Sequence, residues 1–133
     1  MNLDNEDLKE IIIARLSRTL IYLQRYLKEI PKHLIGVQHK FEHLISELNI
    51  LIQQLSPSLN LDFFSTFLPP KNSLPEDINY FELALNEIKT AKQYFIQSKS
   101  REIFKEIQAF YLEQKLSKII KQLEEIKAYN SNF

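Results

Sequence analysis

Apolar residues recur every three or four positions along most of this chain, and that spacing predicts helices. Ile13, Leu16, Leu20, Leu23, Leu27 and Ile30 alternate steps of three and four. They are the a and d positions of a heptad and share one helical face. Leu8, Ile11 and Ile12 widen the stripe near its start. Asp4 is placed to cap this helix, and acids in its first turn suit the positive end of the macrodipole. Pro31 ends it, because the residue before a proline is driven out of helical geometry. The first helix is expected over 4–30.

A second seam follows at Val37, Phe41, Leu44, Leu48, Leu51 and Leu55, flanked by Ile45 and Ile52. It predicts a helix over 33–55, broad enough on its apolar side for a bundle core. The link at Pro31 is short, so the two helices are antiparallel neighbours or one kinked helix. Residues 56–74 lose the period. They hold Pro57, Pro69 and Pro70 with Leu59, Leu61, Phe63, Phe64, Phe67 and Leu68, an apolar loop expected to pack or to function.

Ser73-Leu74-Pro75-Glu76 reads as a capping box with proline at the first helical position. Leu74, Ile78, Phe81, Leu85, Ile88, Ala91 and Phe95 then predict a third helix over 75–98. The polar run Gln97 to Glu102 contains neither glycine nor proline, and a turn or tight kink is expected there over one continuous rod. A fourth helix is expected over 100–128. Its first apolar patch is Ile103, Phe104, Ile107, Phe110 and Tyr111. Leu112, Leu116, Ile119, Leu123 and Ile126 then form a seam rotated from that patch, which implies different packing partners along one helix. Lys92 and Gln114 interrupt the stripes. The pattern gives one all-α domain over 1–133: a four-helix bundle of the up-down type, or packed helical hairpins, with a long ordered loop between helices 2 and 3.

Composition narrows the function more than the fold. There is one glycine, Gly36, and no cysteine. Phosphate-binding loops and dinucleotide fingerprints need several glycines for close backbone approach, and thiolate chemistry needs cysteine. The absence of cysteine favours a reducing compartment. The first ten residues carry Asp4, Glu6, Asp7 and Glu10 instead of a basic start and an apolar run. No apolar stretch reaches the ~20 residues that span a bilayer. The expectation is therefore a cytoplasmic chain with no membrane partner. Lys plus Arg and Asp plus Glu are 17 each, so no net charge steers the chain toward polyanions.

The sharpest chemical motif is His39-Lys40-Phe41-Glu42-His43. This string resembles the H-x-x-E-H of inverted zinc peptidases, whose two histidines, one turn apart, bind zinc while the glutamate activates water. The chain lacks the length, the glycines and the second motif of that family. With Val37 and Leu44 at d positions, His39 and His43 fall at f and c, facing water. They are candidates for adventitious zinc or nickel binding. No histidine has a glutamate three positions before it, so the di-iron pattern is missing. No G-x-S-x-G accompanies any serine. No cofactor, catalytic group or small-molecule substrate is indicated, and a non-enzymatic role is expected.

Two features point to partners. Arg15, Arg18, Tyr22, Arg25, Lys28 and Lys32 form a basic stripe with an aromatic interleaved, on the side of helix 1 away from the seam. Arg18, Arg25 and Lys32 share the f line. Such a stripe is either a solvated outer face or a contact for a nucleic-acid backbone. The loop residues Phe63, Phe64 and Phe67 either plug the end of the bundle or anchor a partner. The heptads favour an interaction or assembly subunit that binds a protein partner or a second copy of itself. The alternative is a nucleic-acid-binding subunit of a ribonucleoprotein using the helix 1 stripe. In size and all-helical pattern the chain is loosely similar to the small subunits of multi-protein CRISPR effector complexes, a resemblance with no motif behind it.

Overall fold

The computed structural model describes residues 5–55 and 79–130, and these form four helices: α1 (Asn5–Glu29), α2 (Ile35–Leu55), α3 (Tyr80–Lys99) and α4 (Glu106–Asn130). No strand occurs among the described residues. The helices make a four-helix bundle of two packed hairpins. In the α1–α2 corner, Leu34 donates its backbone N–H to Pro31, and Gln38 begins the ladder of α2 by bonding Leu34. In the α3–α4 corner the chain turns at residues 100–105.

Side-chain pairs fix the directions. Arg15 and Arg18 meet Glu87 while Tyr22 meets Tyr80, so α1 and α3 are antiparallel. Glu82–Lys127, Lys89–Glu124 and Lys99–Glu113 make α3 and α4 antiparallel as well. α1 lies against α2 and α3, and α4 closes the ring by touching α3 and, more loosely, α2. α2 and α3 therefore occupy opposite corners and point the same way. The chain between Leu55 and Asn79 must return along the bundle, a span of about 30 Å for a helix the length of α2.

The predicted seams form the core. Phe41, Leu44, Leu48, Leu51 and Leu55 of α2 are buried, as are Leu112, Leu116, Ile119 and Leu123 of α4. Phe81, Leu85, Ile88, Ala91 and Phe95 supply the core face of α3. Burying each such large side chain is worth about 1.5–3 kcal/mol. Aromatic clusters sit at both ends. Tyr26, Phe41 and Phe81 join α1, α2 and α3, with ring centroids 5.1–6.0 Å apart. Phe95 and Phe104 pack at 6.0 Å at the other end.

α1 departs from the one-sided helix that its heptad predicts. Between residues 11 and 23 no side chain is exposed. Ser17 and Thr19 are fully buried, and their hydroxyls donate to the carbonyls of Ile13 and Arg15, both at 2.8 Å. Those bonds leave no polar group unpaired, so the hydroxyls tolerate burial. Being small, these residues, with Ala84 and Ala91 on α3, let the two helices approach closely.

Three local expectations shift. Asn79, in extended geometry (φ −94°, ψ 93°), caps α3 by accepting from the Glu82 N–H at 3.1 Å. Helical structure on this side therefore starts at Tyr80, beyond the expected start at residue 75; the Ser73–Glu76 box lies outside the described residues. α4 starts at Glu106, not at residue 100, so Ile103 and Phe104 belong to the turn. That turn uses Glu102 in left-handed geometry (φ 52°), a conformation usually given to glycine. Gly36, the glycine of the chain, has no such backbone demand.

Candidate functional site

The basic stripe of α1 is drawn into the bundle over most of its length. Nη1 of Arg15 lies 3.2 and 3.1 Å from the two carboxylate oxygens of Glu87. Nε of Arg18 lies 3.5 Å from the same carboxylate, close enough for attraction but without an aligned hydrogen bond. Glu87 is largely shielded, with 16% of its side chain exposed. Tyr22 is buried and stacks on Tyr80 with centroids 6.1 Å apart. The Arg25 guanidinium sits over the Tyr80 ring at 5.7 Å, a cation–π contact. Burial, reinforced by the Glu87 charge, raises the Tyr22 phenol above its ordinary value. Burial, then Glu29, raises that of Tyr26 in the same direction.

This corrects the expectation of a solvated f line. α1 packs on two sides, so Arg15, Arg18, Tyr22 and Arg25 face α3 and only Lys28 and Lys32 of the stripe are exposed. The sequence signal that was missed is Glu87, placed 72 residues from Arg15 and legible only once α1 and α3 are known to be neighbours.

His39 and His43 are both exposed on α2, as their f and c positions require. His43 Nε2 lies 3.1 Å from Oε1 of Glu47. Glu47 also draws Lys118 at 3.4 Å and Lys115 at 3.9 Å, so one nearly buried carboxylate on α2 gathers three basic groups. Among the described residues, no group of three or more histidines, cysteines, aspartates or glutamates is placed to share a metal ion. Also among them, no helix is long and apolar enough to cross a membrane. Phe63, Phe64 and Phe67 lie outside the described residues.

The first two turns of α4 present an apolar surface. Ile107 is 86% exposed, Phe110 64% and Tyr111 36%. Positions i, i+3 and i+4 are neighbours on a helix, so these side chains make one contiguous patch. Gln114 continues that face and is exposed too. The rotated stripe seen in the sequence is thus real, but it turns outward while Leu112, Leu116 and Ile119 turn inward. Ile96, 53% exposed, lies in the last turn of α3 at the same end of the bundle. At the opposite end, α2 and α4 splay apart around a groove of about 520 Å³. Val37, Leu44 and Ile126 line it, with Lys40 and His43 on the α2 side and Glu125 on the α4 side. No protein-family model matches the chain, and neither a curated protein nor a solved structure matches it.

Proposed function

We propose that this chain is a non-enzymatic interaction subunit whose contact surface is the apolar face at the start of α4. The observation that carries the reading is the adjacent exposure of Ile107, Phe110 and Tyr111. Single exposed apolar residues are ordinary on protein surfaces, whereas contiguous ones mark contact sites. Covering Ile107 and Phe110 is worth about 2–4 kcal/mol at the usual return for buried apolar side chains. The heptads themselves do not provide this surface, because their side chains are consumed inside the bundle.

The test compares the wild-type chain with Phe110→Asp, a change on an exposed position. Both are followed by light scattering over a concentration series, and both serve as bait for protein capture from the native cell. Loss of self-association or of a captured protein in the variant, with unchanged helical circular dichroism, supports the reading. Identical behaviour of the two chains defeats it.

A nucleic-acid role gains less support. Arg15 and Arg18 are engaged by Glu87, which leaves Lys28 and Lys32 of the original stripe as its exposed cations. Heparin retention at two salt concentrations tests it. A working contact with duplex DNA loses affinity with a slope near −0.9 per phosphate neutralised.

A further inference from the structure

The two ends of α4 are complementary in shape and in charge. Its first two turns project Ile107, Phe110 and Tyr111, while its last turns form one wall of the groove against α2. The groove is open at its α2 end, where a Cβ added to Gly36 would meet nothing within 4 Å. Its floor is apolar: Leu44 is buried, and Val37 and Ile126 are half-buried. The α2 wall is basic, through the exposed Lys40 and His43. The α4 wall carries the exposed Glu125 and Gln122, whose buried Oε1 has no hydrogen-bond partner.

The projecting face is bordered by the opposite pairing. At 100° per residue, Glu106 and Glu113 flank one edge of the Ile107–Phe110–Tyr111 face. Lys115 flanks the other, and Lys118 continues the face beyond it. An α4 from a second copy, laid apolar side down in the groove, has one direction that sets Glu106 and Glu113 against Lys40 and His43. The same direction sets Lys115 and Lys118 toward Glu125. The reverse direction opposes like charges along both edges, which disfavours it.

We propose that the occupant of the α2–α4 groove is the first two turns of α4 from a second copy of this chain. The inference rests on the reading of that face as a contact surface. The contact is heterologous: one end of each molecule binds the opposite end of the next. Such contacts build rings when the rotation closes and open chains when it does not.

A complementation experiment tests this. Phe110→Asp removes the projecting side, and Val37→Asp removes the groove. Aspartate at residue 37 sits in the first turn of α2, where the macrodipole favours it. Lys40→Glu, on an exposed rim position, serves as a second groove variant should Val37→Asp unfold. Light scattering of the wild type is expected to show mass rising with concentration. Each variant alone is expected at the monomer mass, and an equimolar mixture at twice that mass, because only one intact contact remains per pair. A groove variant that associates as strongly as the wild type overturns the proposal in favour of a symmetric contact through Phe110. A wild type that stays monomeric at millimolar concentration overturns it too, yet leaves the α4 face available to a different protein. Phe110→Asp associating like the wild type sinks both the proposal and the reading beneath it.

Discussion

Glu87 holds two arginines of α1 against α3, and removing its charge has a calculable cost. In Glu87→Gln the side chain keeps its shape and one acceptor but leaves Arg15 and Arg18 facing each other without a counter-ion. Arg15 loses one of two charge-assisted bonds, and Arg18 loses its attraction at 3.5 Å. An exposed pair is worth about 0.2–1 kcal/mol, while breaking a fully buried one costs about 3–5 kcal/mol. Here Glu87 is 16% exposed and both arginine side chains 32%, so water still screens the cationic side. The expected loss is about 2 kcal/mol, between those limits. For a chain of this size that corresponds to a fall in Tm of roughly 6–10 °C.

Urea unfolding followed by circular dichroism measures it, with the slope of the transition checked for constancy. A change under about 0.5 kcal/mol, the range of ordinary surface substitutions, would refute the argument. The triple variant Arg15→Met, Arg18→Met, Glu87→Leu separates pairing from packing. Apolar replacement of a whole ionic cluster is often neutral or stabilising, so the triple variant is expected to match or exceed Glu87→Gln. The same substitution probes the nucleic-acid reading. Glu87→Gln releases Arg15 and Arg18 from their partner, and stronger heparin retention than wild type would show that these cations can reach a polyanion.

Glu102→Gly is expected to stabilise the fold by about 1 kcal/mol, since the left-handed backbone at φ 52° costs a side chain roughly 1–2 kcal/mol that glycine avoids. Thermal melts of the two chains check it. Phe95→Ala, at a fully buried ring, is expected to cost about 3–5 kcal/mol, whereas Phe110→Ala is expected to stay within about 0.5 kcal/mol; equal losses would contradict the burial pattern. Burial raises the phenols of Tyr22 and Tyr26 above the usual 10.0 in the folded state. Their contribution is therefore complete below pH 10 and disappears as pH rises through the higher folded values. Tyr22→Phe is expected to flatten the alkaline loss of stability, read as urea midpoints from pH 8 upward.

Periodicity located the cores of α2, α3 and α4 well, because each buries one face and shows water the other. Leu44, Leu48, Ile88, Leu116 and Leu123 behave as their spacing requires. α1 was misjudged for a physical reason. A heptad marks the most apolar face, but a helix gripped on two sides also buries residues its pattern scores as polar. Ser17 and Thr19 enter the core because they bond the preceding turn, and Arg15 enters because a carboxylate from α3 awaits it. Neither compensation is periodic. The start of α3 and the left-handed Glu102 follow from local backbone geometry that residue type alone does not announce.

The candidate surface was half legible for a related reason. The shift of stripe between Ile107–Tyr111 and Leu112–Ile126 shows in the sequence as two apolar faces on one helix. Which face is inward depends on where the neighbouring helices stop. The α2–α4 pairing runs antiparallel: Glu47 stands opposite Lys115 and Lys118, while Val37 and Leu44 line the groove with Gln122 and Ile126. Extrapolated along α4, that register reaches the level of Leu55 near residue 110. Ile107 and Phe110 therefore stand at or past the end of α2, and the overhang is set by helix length, not by composition. Shortening the overhang is then a cleaner perturbation than changing its chemistry. Moving the α3–α4 turn one helical turn later would absorb Ile107 and Phe110 into the connector and leave the Leu112–Leu123 seam in place. Such a chain is expected to keep its urea midpoint and to lose whatever association the wild type shows, and a retained association would place the contact elsewhere on the molecule.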